Sequence, residues 1–125
     1  MFKGVLIDWG GVLTTGMAEA ISAWLAVERL DAARYRAVMQ ELLTEAYERT
    51  GGENLIHALE RGELPAAEFE RELAARLLTV DGVPPRPDGL LRRMFAAFRP
   101  VEEMYDMLRA VRAAGLTTCL VSNSW

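Results

Sequence analysis

Cysteine, histidine and lysine each occur once in this chain, as Cys119, His57 and Lys3. A single cysteine excludes an intrachain disulfide, and the apolar run around Cys119 predicts a buried thiol in a reducing compartment. As the only histidine, His57 has no histidine partner for a metal site and reads as exposed or structural. No basic run is present and the net charge is −4, which excludes a clustered cationic surface for nucleic acid. Long apolar runs are missing too. At the amino terminus Lys3 and Gly4 precede only three apolar residues, Val5, Leu6 and Ile7, too few for a signal peptide or a membrane span. The expectation is a soluble, cytoplasmic protein with no nucleic-acid or membrane partner.

What is present suits one modest globular domain: 125 residues, of which 51% are hydrophobic, enough to build a core. Residues 4–8 form a short, continuously apolar strand, the pattern of a parallel strand covered on both faces. Helical patterns follow. Over 17–28, Ile21, Trp24 and Leu25 share a face. Asp31 is placed to cap the next helix, where Tyr35, Val38, Met39, Leu42, Leu43, Ala46 and Tyr47 recur at helical spacing. Thr50-Gly51-Gly52 breaks that pattern, and Leu55, Ile56 and Leu59 mark a short helix stopped by Gly62. Pro65 suits the first turn of a helix buried through Phe69, Leu73 and Leu77.

After a loop over 83–87, Asp88 is expected to cap a helix that faces Leu91, Met94, Phe95 and Phe98 inward. Pro100 is expected to open the last helix, with Met104, Leu108 and Val111 on its apolar face and Gly115 closing it. A second apolar strand follows over 116–121. Two buried strands of this type predict a parallel pair, with a long helical insertion after the first. The fold class is therefore α/β: an incomplete Rossmann-like core from residues 1–14 and 100–125, and a helical body from 15–99. Trp24, Tyr35, Tyr47 and Phe69 are expected in its core, whereas Arg92, Arg93 and Arg99 read as a solvated face.

In a parallel sheet the reactive groups gather at the carboxyl ends of the strands. Asp8 and Ser122 both fall at such ends. Alone, Asp8 reads as a turn or capping residue; beside Gly10-Gly11 and the distant Ser122-Asn123 it reads as a nucleophile. A carboxylate there can attack phosphorus and divide a difficult hydrolysis into two easier steps. Ser122, Asn123 and the backbone around Gly11 are candidates to hold phosphoryl oxygens, because glycine lets the backbone approach a ligand closely.

Asp8-Trp9-Gly10-Gly11-Val12-Leu13-Thr14 resembles the first motif of the haloacid dehalogenase (HAD) superfamily, and Ser122-Asn123 resembles its second. The helical stretch between them is similar to the cap inserted after motif one, with 60–69 like its middle part. The resemblance covers the whole chain and implies a Mg²⁺-dependent phosphatase that acts on a small phosphorylated metabolite through an aspartyl-phosphate. It implies Asp8 as nucleophile and metal ligand, the Gly10 carbonyl as a second metal ligand, and Ser122 as a phosphate ligand.

Two departures bear on this. Gly10 stands where phosphatases of the family carry a second aspartate for proton transfer. The family's third and fourth motifs lie beyond motif two, so the isolated 125-residue chain is expected to be inactive. Self-association, or a separate carboxyl-terminal segment that completes the core, is the matching expectation for partners. The alternatives are a haloacid dehalogenase-type hydrolase, whose aspartate attacks carbon without a metal, and a non-catalytic pseudo-phosphatase or interaction module. A phosphonate-cleaving relative is set aside because the helical insertion has no lysine for a Schiff base.

Overall fold

The computed structural model describes residues 1–47 and 54–122. The predicted break at Thr50-Gly51-Gly52, the side chains of Ala46 and Tyr47, and Asn123 lie outside the described residues. Eight elements follow in order: β1 (Gly4–Ile7), α1 (Met17–Val27), α2 (Ala32–Tyr47), α3 (Leu55–Glu60), α4 (Ala66–Arg76), α5 (Leu90–Phe95), α6 (Glu102–Ala113) and β2 (Thr117–Leu120). Helix makes up about 53% of the described residues against two parallel strands, so it is a mixed α/β structure in which helices dominate.

The two strands pair with Gly4 opposite Thr117 and Ile7 opposite Leu120. Val5 and Ile7 lie on one face of β1, and Ile7 is buried. Leu6 points to the other face and is 74% exposed. Cys119, its cross-strand partner, is exposed as well. This corrects two expectations, strands covered on both faces and a buried thiol. Among the described residues α6 is the helix packed on β2, and one helix shields one face only. Its apolar residues Met104, Leu108 and Val111 are accordingly half-buried.

Most of the burial lies in the helical region. Trp24, Leu30, Val38, Leu42, Leu59, Phe69, Leu73, Leu77, Leu90 and Leu91 form one core cluster. Leu43, predicted on the same stripe, is exposed, because the stripe that packs is narrower than the apolar pattern. Asp31 caps α2 as expected, accepting from the N–H groups of Ala33 and Arg34. Asn54 caps α3 through Ile56 and His57 and donates to the Leu42 carbonyl, tying α3 to α2. Gly62 has φ +71, the left-handed stop predicted after α3.

Asp88 does not cap α5. The Glu70 carboxylate does so from α4, accepting from Gly89 N–H at 3.0 Å and Leu91 N–H at 2.9 Å. Arg93 is likewise not on a solvated face. It pairs with Glu28, at the end of α1, at 2.7 Å with both side chains largely buried, and it donates to the carbonyls of Arg86 and Asp88. Phe98 lies beyond α5.

Pro100 also departs from its expected place. It pairs in an isolated antiparallel bridge with Thr14, and Val101 is the residue that caps α6. Thr15 N–H donates to the Arg99 carbonyl at 2.8 Å, and Val101 N–H to the Leu13 carbonyl at 2.9 Å. The chain therefore leaves β1 and returns toward β2 through two passages held side by side.

Tyr35 packs edge-on against Trp24, and burial pushes its phenol above the ordinary value of 10.0. Above that value the unfolded chain releases the proton while the folded chain keeps it, so the proton favours folding less as pH rises. Stability is expected to fall as pH climbs from about 10, and Tyr35→Phe should flatten that slope. Urea midpoints at pH 8 and above 10 measure the difference.

Candidate functional site

The site is built on the exit of β1. Asp8 follows Ile7 directly and is exposed. Its Oδ1 accepts the Trp9 N–H at 2.7 Å, which fixes the carboxylate against its own backbone, and among the described residues Oδ2 has no hydrogen-bond partner. The Trp9 carbonyl then gathers three N–H groups, from Val12 at 3.3 Å, Leu13 at 2.9 Å and Thr14 at 3.2 Å. So tight a reversal needs a left-handed residue. Gly11 supplies it with φ +76, a conformation in which an L side chain would be strained although space is open around it.

Gly11 does not have an open donor. Its N–H is bound to Thr14 Oγ1 at 3.1 Å; Thr14 is 5% exposed, and its hydroxyl is also within reach of the Thr15 carbonyl. For Gly11 to hold phosphate, as expected from the sequence, this bond would have to break. Gly10 is different. Among the described residues neither its N–H nor its carbonyl has a partner, which leaves one donor and one acceptor open two residues from Asp8. Sequence reasoning missed the Gly10 N–H. The signal was Thr14, three residues after Gly11, at the spacing of a side-chain-closed turn.

The second strand brings Ser122 to the same end of the sheet. Val121 N–H donates to the Ile7 carbonyl at 2.8 Å, extending the ladder one step past β2, so Asp8 falls beside Val121 with Ser122 one residue beyond. Ser122 is exposed. Asp8, Gly10 and Ser122 are thus brought to one sheet end, while Asn123 lies outside the described residues. His57 is on α3, remote in the chain from this turn.

An aromatic pair begins at Trp9, the residue after Asp8. The Trp9 and Phe98 rings stack at 5.6 Å with an interplanar angle of 29°, and Phe98 leans on Phe95 at 5.5 Å. Phe95 in turn packs against the helical core.

Among the described residues no three histidine, cysteine, aspartate or glutamate side chains cluster as a metal site. The open oxygens are those of Asp8 and the Gly10 carbonyl. Mg²⁺ takes hard oxygen donors and commonly uses one or two carboxylates, with water and substrate phosphate completing six ligands. This donor set fits Mg²⁺ on those terms. Comparison with known proteins finds no family model, curated protein or solved structure that matches the chain. Among the described residues no helix is long and apolar enough to cross a membrane.

Proposed function

We propose that this chain is a HAD-like hydrolase with a partial Rossmann-like core and an inserted helical cap, acting as a Mg²⁺-dependent phosphatase on a small phosphorylated metabolite. The observation that carries the reading is the adjacency of Asp8 and Ser122 at the carboxyl ends of paired parallel strands, beside the open backbone groups of Gly10.

The chemistry follows from these residues. Trp9 N–H holds Oδ1 of Asp8, leaving Oδ2 to attack phosphorus in line with the departing oxygen. The ester P–O bond breaks as the aspartyl-phosphate forms, and the leaving oxygen takes its proton from water because Gly10 offers no side chain. Water then attacks the acyl phosphate at phosphorus, returning Asp8 and releasing inorganic phosphate. Ser122 and the Gly10 N–H hold phosphoryl oxygens through both steps. When bound, Mg²⁺ on Asp8 and the Gly10 carbonyl supplies positive charge against those oxygens. A positioned acid contributes about 10²–10⁴-fold, so its absence at Gly10 restricts turnover to good leaving groups.

Hydrolysis of 4-nitrophenyl phosphate by the full-length protein tests the reading, the isolated 125-residue chain being expected to show little of it. The expected result is nitrophenol release that requires Mg²⁺ and stops on adding a chelator. Halide release from a short 2-haloacid without any metal would overturn it in favour of the dehalogenase-type alternative.

A further inference from the structure

We propose that Trp9 and Phe98 form an aromatic wall that selects the substrate's leaving group, so that the preferred ligand is a phosphoryl compound bearing a flat aromatic ring. This rests on the phosphoryl site described above.

Trp9 is 37% exposed, although its backbone is fastened on both sides and its ring has a partner. Its N–H is bound to Asp8, its carbonyl is fastened by three N–H groups, and its ring rests on Phe98. Phe98 is set by its own N–H on the Phe95 carbonyl, and Arg99 beside it is bound to Thr15 across the passage. An indole fixed in this way loses little conformational freedom when a ligand stacks on it, which is what favours rigid aromatic contacts in binding sites.

Trp9 is also the residue next to the nucleophile, so a group bonded to a phosphorus held at Asp8 and Gly10 falls within reach of this wall. Trp24, by contrast, is 2% exposed in the helical core and has no such role. Offset stacking of one ring pair corresponds to a preference of about fivefold.

Calorimetric titration of the full chain in Mg²⁺, with inorganic phosphate, phenylphosphonate and ethylphosphonate, tests this without turnover. Phenylphosphonate is expected to bind about fivefold more tightly than ethylphosphonate. In Trp9→Leu the ratio should fall to near one, and Trp9→Phe should restore part of it. Phe98→Leu, read against the same ratio, serves if Trp9→Leu does not fold. Phosphate binding with equal affinity for the two phosphonates, or a preference unchanged in the leucine variants, overturns the aromatic wall alone. Binding of none of the three ligands overturns the phosphoryl site and the wall with it.

Discussion

In the full-length protein, Asp8→Asn is expected to abolish hydrolysis of 4-nitrophenyl phosphate, by at least about 10³-fold, while leaving the fold intact. The amide has no anionic oxygen to attack phosphorus, so the aspartyl-phosphate cannot form. The structural cost should be small because Asp8 is exposed and, among the described residues, the one hydrogen bond of its side chain comes from Trp9 N–H. The carbonyl oxygen of asparagine can still accept that bond. A urea midpoint shift equivalent to no more than about 0.5 kcal/mol is therefore expected. Activity that survives the substitution in a protein purified free of contaminating phosphatase would remove Asp8 from its role. Loss of activity together with loss of the far-ultraviolet circular dichroism would instead assign Asp8 to the fold.

Local features were legible in the sequence where one short segment decides them. The apolar runs before Asp8 and Ser122 became paired strands, and Asp31 capped α2 because its acceptor and donors are two and three residues apart. Features set by distant partners were not. Asp88 looked like the cap of α5, yet Glu70 took the Gly89 and Leu91 N–H groups from about twenty residues earlier. Arg93 looked solvated because its partner Glu28 lies 65 residues away.

Exposure of the sheet is a further case. Leu6 and Cys119 belong to strands as apolar as buried ones, and what covers a face is decided by other elements rather than by the strand itself. The site follows the same division. Asp8 and Gly10-Gly11 could be read from one turn, whereas the engagement of Gly11 by Thr14 depends on how that turn closes. The Trp9–Phe98 stack joins residues 89 positions apart and could not be read from either segment.

Trp24→Ala is expected to destabilise the protein by about 3–5 kcal/mol, a large fraction of the ~5–15 kcal/mol that holds a typical domain together. Trp24 fills the centre of the helical core, 2% exposed and edge-on to Tyr35, so truncation leaves a cavity that the surrounding leucines can close only in part. Trp24→Phe should cost much less. The smaller ring still gives up some packing, but among the described residues the indole N–H is buried without a hydrogen-bond partner. A buried donor left unpaired costs about 1–3 kcal/mol, and phenylalanine removes that donor along with the lost contacts. Urea denaturation measures both variants, with an unchanged slope required for the comparison. Equal destabilisation by alanine and phenylalanine would mean that the indole N–H is satisfied in solution and that the second ring alone carries the packing.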